Sequence, residues 1–328
     1  MRRLLFLLLL AAVGVIVYCV MVPFGPSSET FVEIPTGTPT MHIAGLLKSG
    51  GVIRSELVFD AMHMAKGGTL KAGEYRFDHP ARMAEVYGRL RRGDVYTVSV
   101  TIPEGSNLFD IAQRLEAAGF GPKERFLAAA HTNMNLIADL DPTASSLEGY
   151  LFPETYRFAH NATPLQMQQA MVRQFREEAA LQGIQSDYHR VVTLASLVER
   201  ESPIPAERPL VASVFVNRIT KGMPLMTDPS VIYAALLDGR YRGTIYASDL
   251  QAGSPYNTYR HAGLPPGPIC SPGADSLKAA LHPAQTNYLY FVAATADPSG
   301  KSRFSATLEE HAHDVAAYRK AVREAGSR

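Results

Sequence analysis

A chain of 328 residues, 46% apolar and 19% charged, has material for one large core or two to three modest ones and is not disordered by composition. Its net charge is +1 and its basic residues form no long cluster, so no electrostatic footprint for nucleic acid is present. With only two cysteines, Cys19 and Cys270, no disulfide framework holds the fold, and packing must.

Met1-Arg2-Arg3 is followed by 19 uncharged, mostly apolar residues, Leu4 to Val22, close to the roughly 20 that a helix needs to cross a bilayer. Two leading arginines keep that end in the cytoplasm. Residues 1–24 therefore read as a cytoplasmic stub and single-pass membrane anchor, with everything after Phe24 exported. A cleaved signal peptide has a shorter apolar core, about 7 to 15 residues, and a small-residue cleavage site. No Ala-x-Ala pattern follows here, and the bulky Tyr18 before Cys19 argues against a lipidated cysteine.

Gly25 to Thr30 reads as a short polar linker. A repeat at an offset of 68 residues follows: Ile34-Pro35-x-Gly37 returns as Ile102-Pro103-x-Gly105, Ile43-Ala44-x-x-Leu47 as Ile111-Ala112-x-x-Leu115, Gly51 as Gly119 and Glu56 as Glu124. Each copy predicts a short strand, a turn at Pro-x-Gly, an amphipathic helix stopped by glycine and a second helix. Both copies later reach Tyr-Arg-Phe, Tyr75 to Phe77 and Tyr156 to Phe158. The expected units are 25–96 and 97–160. The latter unit resembles a LysM module, the small fold that binds glycans built on N-acetylglucosamine. Neither copy offers a stacked-aromatic sugar platform, and a duplicated unit without a ligand is the competing reading.

From about Pro164 the texture becomes helical, and 161–328 is read as a further, helix-rich domain. Helices are expected over Leu165 to Gln182, Tyr188 to Ser202, Glu207 to Thr220 and Asp275 to His282. Another starts at Asp228-Pro229, with the aspartate as cap. Tyr288 to Ala293 reads as a strand and Leu308 to Ala325 as a final helix. Ser254 to Pro272 is rich in Pro, Gly, Ser and Tyr and aperiodic, and a long loop inside a folded domain is usually functional.

The most informative string is LASLVERES, Leu194 to Ser202. On a helix, Glu201 lies under Leu194, Leu197 and Val198, at offsets of seven, four and three. Burial against such neighbours raises a carboxyl pKa, as a general acid at neutral pH requires. Glu199 is roughly 200° around the same helix, so the two carboxylates cannot share one cleft, and one of them is expected to be solvated surface.

LASLVERES, VASVFVNRITKGMPLMTDPSVIYA (Val211 to Ala234), SPYNTYRHAGLPPGPICSPGADSLKAALHP (Ser254 to Pro283), NYLYFVA (Asn287 to Ala293) and LEGYLFPETYRF (Leu147 to Phe158) together resemble the endolytic murein transglycosylases, the YceG-like family. The resemblance implies an inner-membrane enzyme with a periplasmic body. It would cut nascent peptidoglycan strands internally between N-acetylmuramic acid and N-acetylglucosamine and leave 1,6-anhydro ends. A LysM-like subdomain and peptidoglycan synthases (penicillin-binding proteins) as partners are implied too. Glycosidases commonly need two carboxylates; a lytic transglycosylase needs one, because the C6 hydroxyl of the muramic acid attacks C1. Catalytic glutamates of such enzymes precede Ser or Thr, as Glu201 precedes Ser202, whereas Glu199 precedes Arg200.

Glu201 is thus the expected catalytic residue. Glu148 and Glu154, in the LEGYLFPET string, read as part of an aromatic-rich structural turn, with Glu148 also a candidate cleft wall. Thr227, Asp228, Tyr256, Asn257, Thr258 and Tyr259 are candidate sugar contacts, the tyrosines alternatively core fillers. Asn217 either orients the cleft or bonds to backbone. Ser271 and Asp275 read as turn and capping residues. Ten scattered histidines offer no zinc-like spacing, only His311 and His313 being close, so neither metal nor cofactor is expected. No Gly-x-Ser-x-Gly elbow suggests a serine nucleophile. The expected architecture is α+β: an anchor helix, two small units and a helix-rich catalytic region with a short sheet. A non-catalytic peptidoglycan-binding scaffold is the alternative.

Overall fold

Leu4 to Val22 carry no charge, and they wind into α1 (Arg2–Met21), whose apolar side chains stand largely exposed, Leu5 and Leu9 at 63%. The computed structural model describes residues 2–297 and 300–326; the expected roles of Met1 and of the last two residues lie outside them. The chain forms two compact units, Met1–Ser99 with Arg157–Ala162, and Val100–Tyr156 with Thr163–Arg328.

In the first unit, the end of α1 is not free. Cys19 is 9% exposed within the unit's core, with Val20 packed beside it. Phe24 and Ala81 exchange backbone hydrogen bonds of 2.9 and 3.0 Å. Arg54 donates to the carbonyls of Val22 (2.7 Å) and Pro23 (3.1 Å), and its guanidinium lies 4.6 Å from the ring centres of both Tyr18 and Phe24. The expected linker shrinks accordingly to Gly25 through Glu29, because Phe24 is pinned before it and β1 (Thr30–Ile34) starts after it.

The repeat takes the form strand, helix, helix, strand. The first copy is β1, α2 (Thr40–Ser49), α3 (Glu56–Lys66) and β2 (Gly73–Phe77). After α4 (Met83–Arg92), the second is β3 (Val98–Thr101), α5 (Leu108–Ala117), α6 (Lys123–Thr132) and β4 (Thr155–Phe158). β1 and β2 are antiparallel, Val32 opposite Tyr75, and β3 pairs with β4, so each Tyr-Arg-Phe is a closing strand. Gly37 and Gly105 make the Pro-x-Gly turns at positive φ, 82° and 76°. Ser55 accepts from Val58 N to cap α3, and Asn107 forms a capping box with Asp110 on α5. Nothing in this geometry identifies either copy as a LysM module.

The second copy reaches Tyr-Arg-Phe late because a turn-rich segment follows α6. Asp141 anchors it, accepting from the Thr143 amide and hydroxyl (3.0 and 2.7 Å) and from Tyr150 (2.7 Å). Gly149 there has φ +83°, and a Cβ would stand 2.5 Å from Pro268 Cβ and 2.9 Å from Val192 Cγ1. Gly149→Ala should therefore cost about 2–5 kcal/mol, from left-handed strain plus overpacking, read as a fall in thermal midpoint.

The second unit is helical: α7 (Pro164–Leu181), α8 (Tyr188–Glu201), α9 (Arg208–Thr220), α10 (Asp228–Leu237), the short α11 (Ala247–Leu250) and α12 (Ala274–Leu281). The antiparallel pair β5 (Tyr290–Ala293) and β6 (Ser302–Ser305) and then α13 (Leu308–Gly326) complete it. Thr163 with Gln166 forms the capping box that starts α7, with Pro164 in its first turn. These elements begin and end within two residues of expectation; α4, α11 and β6 were not expected. Every residue from Val191 to Val198 is buried, so α8 is the central helix of this unit, covered by α9, α10 and α12.

Candidate active site

α8 must stop after Glu201, because Pro203 lacks an amide hydrogen and pushes Ser202 out of helical geometry, to φ −126° and ψ 116°. That places the Glu201 side chain at the floor of a cleft of about 330 Å³, lined by Phe215, Arg218, Leu225, Met226, Asp228, Tyr259, Phe291 and His311. A larger hollow of about 590 Å³ along Tyr318, Arg319 and Val322 of α13 has no carboxyl in its lining and offers no acid chemistry.

Burial raises the Glu201 pKa from 4.5 to about 7, and the nearby Asp228 charge adds to the rise; Thr227, Arg218 and Arg200 oppose it. The negative end of α8 acts in the same direction as burial. Thr227 Oγ1 is buried without a hydrogen bond of ordinary geometry, yet lies near enough to draw the carboxyl partway back. Its backbone is fixed from behind: Thr258 Oγ1 accepts from Thr227 N (3.0 Å) and lies 2.8 Å from Ser230 Oγ, and Thr258 O accepts from Met226 N (3.1 Å). Met226 is held at φ +55° beside the acid, a strained conformation of the kind that clusters at functional sites.

Two walls carry charge. Asp228 Oδ1 accepts from Tyr259 Oη at 2.6 Å. Thr227, not Asp228, is the residue before α10, and no side chain caps that helix; Asp228 instead faces the cleft. Opposite in sign is Arg218, which donates to the carbonyls of Leu289 (2.7 Å), Leu225 (2.8 Å) and Pro224 (3.4 Å) and lies 5.2 Å from the Tyr290 ring centre. Among the described residues no carboxylate comes within ion-pair distance of it, and burial lowers its pKa. His311 stacks on the Tyr290 ring at 5.0 Å, its Nδ1 is buried without a partner, and desolvation, with Arg218 nearby, lowers its pKa.

Several expected site residues lie elsewhere. Glu199 is not solvated: its side chain is 5% exposed, Oε1 takes a 2.9 Å ion pair from Arg208 and Oε2 accepts from Gly273 N at 2.9 Å. Asn217 bonds to backbone, donating to Thr286 O (3.0 Å) and Tyr288 O (2.9 Å). Asn257 is fully buried and closes the loop by donating to Leu250 O and Ala252 O, so no amide there reaches a sugar. Thr258 supports Thr227 from the interior. Half-buried Tyr256 packs edge-on to Tyr233 at 5.1 Å. Only Tyr259 of that loop lines the cleft; Ile269, Cys270 and Ser271 are interior.

Glu148 is 3% exposed and accepts from Leu108 N at 3.0 Å, and burial raises its pKa to about 7 as well. It does not line the cleft: it sits in the interior near Tyr233, whose hydroxyl interacts with it. Glu154 is exposed and takes its neighbour's amide, Thr155 N, at 2.7 Å. Sequence reasoning missed Arg218, His311, Phe215, Phe291, Leu225 and Met226. For Arg218 a signal existed, since it stands three, four and seven residues after Phe215, Val214 and Val211, a charge on an apolar face.

Comparison with known proteins places the chain in a family. The model of the YceG-like family matches residues 32–317. The chain is 35% identical over 312 residues to the Bacillus subtilis (strain 168) protein named endolytic murein transglycosylase, covering 88% of this chain and 85% of that protein. A Streptococcus pneumoniae (strain ATCC BAA-255 / R6) protein of the same name is 30% identical over 95% of this chain, which spans 64% of the pneumococcal length. The crystal structure of a YceG-like protein from Listeria monocytogenes superposes with a TM-score of 0.57 at 32% identity, covering 88% of this chain and 99% of that one. With the family match extending over most of its length, the chain belongs to the YceG-like family.

Proposed function

We propose that this protein is a lytic transglycosylase that cuts peptidoglycan strands internally, at the bond between N-acetylmuramic acid and N-acetylglucosamine, with Glu201 as its single proton carrier. The observation that carries this reading is a part-buried carboxyl with a pKa raised to about 7 on the floor of the cleft. Near neutral pH a large fraction of it is protonated, and it gives that proton to the glycosidic oxygen as the C1–O bond breaks. The ionised Glu201 then accepts the proton of the muramic acid's C6 hydroxyl as that oxygen bonds to C1. Products are a free 4-hydroxyl and a 1,6-anhydro end, and the enzyme regains its proton. Arg218 and Thr227 favour the ionised carboxylate between the two transfers, and Asp228 favours its reprotonation. The family relationship and the named activity of the relatives support this reading. We read α1 as an uncleaved inner-membrane anchor that puts the rest of the chain in the periplasm.

Asp228 in the same cleft raises a second mechanism, in which it acts as nucleophile or as base for water. Digesting glycan strands with wild type and Asp228→Asn, and identifying ends by mass spectrometry, separates the two. The proposed mechanism predicts anhydro ends from both proteins and activity within about tenfold of wild type, since no proton transfer is lost. Because the Asp228 charge raises the Glu201 pKa, the neutral amide of Asp228→Asn should also move the alkaline fall in rate to lower pH. Reducing ends, lost in the variant, would establish the two-carboxylate route; binding without cleavage would leave a scaffold.

A further inference from the structure

α3 turns an apolar side outward. Phe59 and Met62 face the core, while the exposed residues opposite are Leu57, Ala61, Met64 and Ala65, at offsets of four, seven and eight. Leu57 is 83% and Met64 80% exposed. A surface helix ordinarily keeps this side polar, and nothing in the unit covers it.

One neighbour of α3 is α1, and Arg54, two residues before α3, is clamped to the end of the span through Val22, Pro23, Tyr18 and Phe24. Aromatic rings and a snorkelling arginine at the end of an apolar span mark the level of the lipid headgroups. The first turn of α3 therefore starts at that level, and the whole helix is only about 16 Å long. Apolar side chains along a helix held there find their partner in the boundary between headgroups and acyl chains.

We propose that the Leu57–Ala61–Met64–Ala65 face of α3 lies in the bilayer surface on the exported side, a second lipid attachment in the membrane plane beside the α1 span. The proposal rests on α1 being a membrane anchor. It fixes the first unit to the membrane at two points, so the unit does not swing freely about the end of α1.

The sequence has no tryptophan, which gives a direct test. Met64→Trp changes an exposed position and makes its indole the sole reporter in the full chain, reconstituted in phosphatidylethanolamine and phosphatidylglycerol vesicles. The expected result is blue-shifted emission, quenched by about half when the acyl chains are brominated, and protected from aqueous iodide. Val15→Trp, within the span, serves as the second reporter. If Val15→Trp is quenched by bromolipid while Met64→Trp is reached by iodide only, the α3 attachment is wrong and the anchor stands. If neither is quenched by lipid, both readings fall. An indole at position 64 shielded from lipid and iodide alike would mean a protein partner, and would also overturn the proposal.

Discussion

Glu201→Gln is expected to lose at least about a thousandfold in strand cleavage, within the range for removing a positioned acid that serves twice, while making the protein more stable above neutral pH. A carboxyl of pKa 4.5 in the unfolded chain and about 7 in the folded one holds its proton longer when folded. Its contribution is therefore most favourable below pH 4.5, is lost between pH 4.5 and 7, and stays lost above. The loss amounts to about 3 kcal/mol at most. Glutamine keeps the shape and cannot ionise, so the variant should melt roughly 5–10 °C above wild type at pH 8. At pH 4 the two should melt together. Glu148 titrates through the same window in both proteins, so the difference isolates Glu201. Calorimetry at the two pH values and mass spectrometry of digested strands check it. Retained cleavage would move the proton to another group, and equal melting at pH 8 would show that the folded state does not desolvate the carboxyl.

Glu199→Ala should do the reverse. Its carboxylate and Arg208 are 5% and 6% exposed, and removal leaves a guanidinium that also meets Ser202 O and, at 3.7 Å, Glu104. Breaking such a pair from one side costs about 3–5 kcal/mol. At temperatures where the variant remains folded, cleavage should stay within about tenfold of wild type, because the proposed mechanism routes no proton through this pair. Replacing both partners, Glu199→Leu with Arg208→Met, should recover most of the stability. Opposite signs in melting and activity at two positions of one helix turn would separate the proton carrier from the structural carboxylate; a folded, inactive Glu199→Ala would undo that separation.

The two glutamates also mark the limit of what the sequence could tell. The choice of Glu201 rested on its offsets from Leu194, Leu197 and Val198 and on its place before Ser202. Expecting the other to be solvated assumed that α8 keeps a wet side along its length, and from Val191 to Val198 it has none. Periodicity cannot reveal a polar residue whose partner, Arg208 or Gly273, comes from a distant segment. The same limit explains the loop. Its lack of period suggested a cleft wall, yet Asn257 spends its amide on Leu250 and Ala252, and Ser196 Oγ accepts from Ile269 N. Helix limits were legible because they depend on local chemistry at Thr163-Pro164, Asn107 and Pro203. The repeated Tyr-Arg-Phe marked matching positions in the two copies, but its recurrence alone did not say that each closes its copy as a strand. His311, reaching the cleft from α13, left no local signal at all.

The long closure of that loop has a consequence for how the protein is made. Ser271 bonds both ways to Gly105 and Ser106, Ala284 N reaches Pro209 O, and Ser302 N reaches Glu207. These contacts join segments roughly 75 to 165 residues apart, and such pairings are slow to close and wait for the later partner. Strands β1 and β2 can zip while synthesis continues, but the cleft has no Phe291 or His311 wall until those residues have emerged. A chain stalled or cut short before them would carry Glu201 without the Phe291 and His311 side of its pocket.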